Sequence, residues 1–190
     1  MLGTDIVALE QLYSNRWARR LDKVCSLEEQ KWLGQRPQPF LAFAQLWAMK
    51  EAAYKLGLRL GAPLGYYPKK ISLQARTDGY FYCPLWNIYL SLKQTEGYLW
   101  AQAAEQLAGL SKIHYEVYHW PALALSPRLR SAALREELVQ HLGPGQLIKD
   151  EKGLPFWRKK TGSSLIALSL SYDGPWASWA RVIPAAADNS

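Results

Sequence analysis

A chain of 190 residues, 49% hydrophobic and 21% charged, is long enough for one domain or two small packed halves and too apolar for a solvated, disordered tail. Its formal charge of +7 favours an anionic partner and leaves nucleic acid, a phosphorylated small molecule and an acidic protein surface all open. Two cysteines, Cys25 and Cys83, exclude a disulfide framework and a four-cysteine metal centre and fit a reducing compartment.

The opening MLGTDIVALEQ lacks the basic and apolar regions of a secretory signal, and no later run reaches the ~20 apolar residues that span a bilayer, so a cytoplasmic protein is expected. Leu2 to Leu9 reads as a strand. Leu9, Leu12, Tyr13, Trp17 and Leu21 then fall at helical spacing, with Arg16, Arg19, Arg20 and Lys23 between them. Ser26 followed by Glu29 has the form of a capping box opening a second short helix over SLEEQKWL, which Pro37 and Pro39 end.

From Phe40 a long helix is expected, with Phe43, Trp47, Tyr54 and Leu58 on one apolar face and with Gly57 and Gly61 helping to stop it. Glu51 falls within that stripe. A carboxylate on the buried face of a helix costs several kcal/mol unless it meets a cation, a metal or strong donors, so Glu51 demands a partner. Lys50 points about 100 degrees away from it and serves a nucleotide or is solvated.

Strand-like runs follow at Lys70 to Arg76, Tyr80 to Tyr82, Trp86 to Lys93 and Tyr98 to Ala104, with Asp78-Gly79 and Glu96-Gly97 turns. A further strand is expected from Ile113 to Trp120, then a helix capped by Ser126, with Pro127 at its first position, running through Leu142 to Gly143. The tryptophans and tyrosines lie along these apolar periods and read as packing residues.

The chain also repeats itself. IYLSLKQTEGYLWAQA at 88 to 103 parallels IALSLSYDGPWASWAR at 166 to 181, and ARTDGYFY answers IKDEKGLPFW ahead of each hairpin. Two related halves are expected, 1–110 and 111–184, followed by a tail at 185–190. The expected fold class is α/β in the α+β sense: a pseudo-twofold pair, each half a long helix packed on a small antiparallel sheet.

Three strings carry chemistry: GTDIV at Gly3 to Val7, WAMKEAAYK at Trp47 to Lys55 and SLSYDG at Ser169 to Gly174. Together they resemble the 4'-phosphopantetheinyl transferases, which carry a GIDI or GVDI strand, a W-x-x-K-E-A-x-x-K helix and an S-x-S-H strand end. The helix motif is the specific one. Cys25 to Glu29 is similar to the family's L-T-x-x-E segment, and Gly153 to Phe156 to its G-K-P-Y turn, so most of the chain is covered. The short holo-acyl-carrier-protein synthases resemble this chain minus its middle. The longer, surfactin-synthetase-type enzymes carry the halves in the opposite order, so a permuted two-half enzyme is expected.

The resemblance implies magnesium-dependent transfer of the phosphopantetheine arm of coenzyme A onto a serine of an acyl, peptidyl or aryl carrier protein, with 3',5'-ADP leaving. Fatty-acid biosynthesis is among the pathways it implies. Asp5 and Glu51 match the metal-binding acids, and Lys55 matches the lysine on the coenzyme A phosphates. Glu51 and Lys55 are the expected catalytic residues, with Glu51 or a metal-ordered water taking the serine proton. Lys50, Lys55, Ser171 and Tyr172 are expected on the coenzyme.

Three departures stand out. Tyr172 replaces the histidine, offering a hydrogen bond without positive charge; Leu154 replaces a lysine; and Val7 stands where longer enzymes place a second acid. The basic residues of the first helix suit an acidic carrier protein. The expected assembly is a monomer with an intrachain site facing no membrane and no nucleic acid. Rival readings are a relative that binds coenzyme A or a carrier with weakened turnover, and a basic nucleic-acid-binding protein, for which no recognition motif is present.

Overall fold

The computed structural model describes residues 1–11, 17–123, 126–161 and 165–183. The first strand, β1 (Leu2–Ala8), is followed by helices α1 (Trp17–Val24), α2 (Leu27–Gly34) and α3 (Pro39–Arg59). Strands β2 (Gln74–Ala75), β3 (Phe81–Cys83), β4 (Ile88–Gln94) and β5 (Tyr98–Ala104) and the short α4 (Leu107–Leu110) come next. Then follow β6 (Ile113–His119), α5 (Pro127–Leu142), β7 (Gly145–Lys149), β8 (Pro155–Lys159), β9 (Leu165–Ala167), β10 (Ser169–Asp173) and β11 (Trp176–Val182). The fold is α+β with antiparallel sheets. Leu12, Tyr13, Arg16, the side chains of Trp17 and Arg19, and the 185–190 tail lie outside the described residues.

Local signals account for several boundaries. The Ser26 hydroxyl accepts from the Glu29 N–H at 3.2 Å while the Glu29 carboxylate accepts from the Ser26 N–H at 2.8 Å, closing the capping box of α2. Ser126 caps α5, Pro127 opens it, and Gly143 leaves it with φ of 81°. Two readings are corrected. Gly57 lies inside α3 rather than ending it: a Cβ there would meet Trp86 Cδ2 at 2.8 Å, so glycine is required by close packing. The run from Lys70 to Arg76 yields only the two-residue β2, because Pro68 to Lys70 winds into a 3-10 turn.

β1 is the edge of a five-stranded sheet of order β1-β5-β4-β3-β2. Two three-stranded sheets, β10-β11-β6 and β7-β8-β9, belong to the later part of the chain. Only Leu168 separates β9 from β10, and its N–H donates to the Pro155 carbonyl at 3.1 Å. Read through that bend, the order β6-β11-β10/β9-β8-β7 follows the same path as β1-β5-β4-β3-β2, with α5 standing after β6 as α3 stands after β1.

β1 is buried along its whole length because both faces are covered. Its odd-numbered residues face α3, where Val7 joins a core with Phe43, Met49 and Leu56. Leu2 and Ile6 on the other face pack with Trp100, Ile113 and Ala180, joining the sheet of β1 to that of β6 and β11. α5 closes a third core, of Leu134, Leu138 and Leu142 on Trp157 and Trp179.

Candidate active site

Strand alternation turns Asp5 toward α3, and the helical repeat brings Glu51 and Lys55, one turn apart, to the same place. Lys55 Nζ donates to Asp5 Oδ1 at 2.8 Å and to the Thr4 carbonyl at 2.9 Å. It also reaches the Leu170 carbonyl on β10 at 3.4 Å. The free edge of β1 would expose N–H groups that no strand pairs. Three side chains of β10 take them: the hydroxyls of Ser169 and Ser171 accept from Thr4 and Ile6 at 2.9 and 3.1 Å, and Asp173 Oδ2 accepts from Ala8 at 2.8 Å. The same Ser171 hydroxyl donates to Asp5 Oδ1 at 2.6 Å.

These residues line a cavity of about 370 Å³ with Tyr172, Trp47 and Arg20 around it. Asp5, Glu51, Lys55, Ser171 and Tyr172, drawn from both ends of one chain, therefore meet at one place. Lys50 does not join them. Fully buried, it donates to Glu29 Oε2 at 2.7 Å and to the carbonyls of Val24 and Pro68 at 3.0 Å each. It is neither solvated nor near the cavity, because α3 turns it to the side of α1, α2 and the Pro68 turn.

Burial holds the Glu51 carboxyl above the ordinary carboxylate range, and the negative charge of Asp5 pushes the same way against the opposing pull of Lys55. The Tyr66 hydroxyl is buried against Glu51 and, with Trp47, draws the carboxyl back toward its ordinary range. Asp173 is also raised, mainly by burial, with the Ala8 N–H and the guanidiniums of Arg20 and Arg130 opposing. Burial likewise raises the Tyr172 phenol, opposed by Ser131, Arg135 and Arg130.

A second cavity of about 350 Å³ adjoins the first and shares Lys55, Leu170 and Tyr172 with it. Its walls carry Arg59, Arg135, Lys149 and Lys152, so it is a basic pocket. Arg59 also donates to the carbonyls of Leu168 and Pro155, and Lys152 to that of Leu58 at 3.1 Å, so these cations hold the two parts of the chain together as well. Sequence reasoning missed this set and Asp173. The basic residues are scattered over four elements and turns, and only the SLSYDG string drew attention to Asp173.

The residues present fit a hard divalent cation. Asp5 and Glu51 bring two carboxylates to one cavity, and the ammonium between them is spent on Asp5, so a dication would offset the remaining charge. Among the described residues no three His, Cys, Asp or Glu side chains form a metal site. Phosphate oxygens and water would supply the other positions, which suits magnesium.

A family model described as the 4'-phosphopantetheinyl transferase superfamily matches residues 1–103. The chain belongs to that superfamily. The match covers β1 and α3, hence Asp5, Glu51 and Lys55, whereas Ser171, Tyr172, Asp173 and most of the basic pocket lie beyond it. A search among curated proteins finds no match to this member of the superfamily. Phosphopantetheine transfer is the activity that membership suggests, and no helix among the described residues is long and apolar enough to cross a membrane.

Proposed function

We propose that the chain transfers the 4'-phosphopantetheine arm of coenzyme A to a serine of an acyl, peptidyl or aryl carrier protein, as a magnesium-dependent holo-acyl-carrier-protein synthase. The observation that carries this reading is the adjoining pair of cavities: an acid-lysine site on β1 and α3 beside a basic pocket, with Lys55, Leu170 and Tyr172 in the walls of both. The nucleotide end of coenzyme A, with its phosphates, suits the pocket of Arg59, Arg135, Lys149 and Lys152. The diphosphate then lies at Lys55, between the two cavities.

Asp5 and Glu51 are the residues that would hold magnesium, which when bound supplies positive charge beside the transferring phosphorus. Lys55 is kept in place by Asp5 and two backbone carbonyls and neutralises charge on the 5'-phosphate of the leaving 3',5'-ADP. Ser171 fixes the Asp5 carboxylate, and Tyr172, shared by both cavities, offers its phenol to a phosphate oxygen. Arg130, 5.9 Å from the Tyr172 ring centre, and Arg135 supply positive charge near a residue that carries none. Lys50 drops out of the coenzyme-binding set.

The halves 1–110 and 111–184 are taken as related units in permuted order, forming the site within one chain. A cytoplasmic setting and a carrier of fatty-acid synthesis belong to the same reading, and both free cysteines are buried. The test is incubation with labelled coenzyme A, magnesium and the carrier proteins of the same organism. Label is expected on a carrier serine, lost in a chelator and lost in Asp5→Asn and Glu51→Gln chains that still fold. Undiminished transfer in the chelator would refute the metal role. Tyr172 and the buried Leu154 favour a second reading, binding without turnover, which calorimetric binding of coenzyme A with no label on any carrier would support.

A further inference from the structure

We propose that Asp173 is a further catalytic residue, the carboxylate that receives the proton of the acceptor hydroxyl. The inference rests on the transfer reading above and concerns the end of the cavity where the acceptor enters. The two cavities share Lys55, Leu170 and Tyr172, whereas Ala8, Arg20 and Asp173 line only the first. With the anionic end of the donor in the basic pocket, the acceptor reaches the diphosphate from the side of Ala8, Arg20 and Asp173.

The geometry of Asp173 suits that position. Its Oδ2 is tied to the Ala8 N–H at 2.8 Å, which fixes the carboxylate, and among the described residues no hydrogen bond is made to its Oδ1. The other two acids of the cavity are differently engaged. Asp5 Oδ1 already takes Lys55 and Ser171, and Glu51 lies back against Trp47 and Tyr66. An acid that holds a dication is also a weaker proton acceptor than one that does not.

The rung to Ala8 does not by itself call for a carboxylate. Ser169 and Ser171, four and two residues earlier on the same strand edge, take the equivalent N–H groups with neutral hydroxyls. A half-buried charge costs more than a hydroxyl there, so the carboxylate needs another reason. The charged groups facing it are Asp5 on β1, Arg20 on α1 and Arg130 on α5.

The step balances as follows. As the serine oxygen bonds to the phosphorus bearing the pantetheine arm, its O–H bond breaks and the proton passes to Asp173 Oδ1. The bond from that phosphorus to the 3',5'-ADP oxygen breaks, and its electron pair leaves with 3',5'-ADP.

Asp173→Asn keeps an oxygen for the Ala8 N–H and removes the base; Asp173→Ser does the same in the manner of Ser171. Both are expected to lower kcat about a hundredfold or more, the usual scale for losing a general base. The KM for coenzyme A and the melting temperature should stay near those of the unaltered chain, and Asp173→Glu should recover part of the rate. If the Asn form does not fold, the Ser form gives the same comparison. A kcat within about threefold of normal in either variant, or a loss confined to KM, overturns the proposal. Transfer by the unaltered chain together with active Asp173 variants sinks this inference alone, whereas no transfer by the unaltered chain to any carrier sinks the parent reading as well.

Discussion

Lys50 and Lys55 occupy one helix and one motif, yet the first is sealed and the second half-open. The side chain of Lys50 is 0% exposed, and its ammonium joins Glu29 to two backbone carbonyls, so Lys50→Met takes the cation from a part-buried carboxylate that keeps only the Ser26 N–H, and takes one donor from each carbonyl. A stability loss of about 3–5 kcal/mol is expected, read as a lower urea midpoint. Lys55→Met, at 26% side-chain exposure, should cost less stability while abolishing transfer. Glu51 trades the other way. The folded chain keeps the Glu51 proton to higher pH than the unfolded chain does, so ionised Glu51 detracts from stability above the ordinary carboxylate range and not below it. In a chelator, Glu51→Gln is therefore expected to raise the urea midpoint at pH 7, with the gain fading below about pH 4. An equal gain at both pH values would contradict this. At Tyr172, Phe should weaken use of coenzyme A and His should preserve or improve it; unchanged kinetics in Tyr172→Phe would reduce the phenol to packing.

At the level of elements the site depends on how closely β1 lies to α3. A Cβ on Gly3 would sit 2.1 Å from the Ala52 carbonyl oxygen and 2.6 Å from the Leu56 nitrogen, both backbone atoms that cannot swing aside. That explains glycine at the head of GTDIV. Gly3→Ala is expected to destabilise by at least about 1–3 kcal/mol and to reduce transfer by moving Asp5 from Lys55, measured by denaturation and by kcat/KM. The opposite edge of β1 is finished by side chains rather than a strand, which leaves room for a cavity where a closed sheet would have none.

On the scale of the whole molecule, the cavity draws on both ends of the chain: the N-terminal part contributes Asp5, Glu51 and Lys55, and the C-terminal part Ser171, Tyr172 and Asp173. The contacts between them are within one chain, from β1 to β10 and from α3 to the bend at Leu168. A monomer in sedimentation is expected to be fully active. Mixing an Asp5→Asn chain with an Asp173→Asn chain should restore nothing, whereas rescue on mixing would mean that sites are shared between chains.

Local patterning decided much by itself: the capping box at Ser26, the start and end of α5, the β4–β5 hairpin, and the placement of Glu51 and Lys55 on one face of α3. These follow from propensities and periods that act over a few residues. The partners of those faces were decided only by tertiary structure. Nothing near Lys50 in sequence tells that Val24 and Pro68 will surround it, and nothing near Asp173 tells that it will meet the Ala8 N–H, 165 residues away. Periodicity specifies which way a side chain points, while the charge and room it meets there depend on which distant segments burial brings against it.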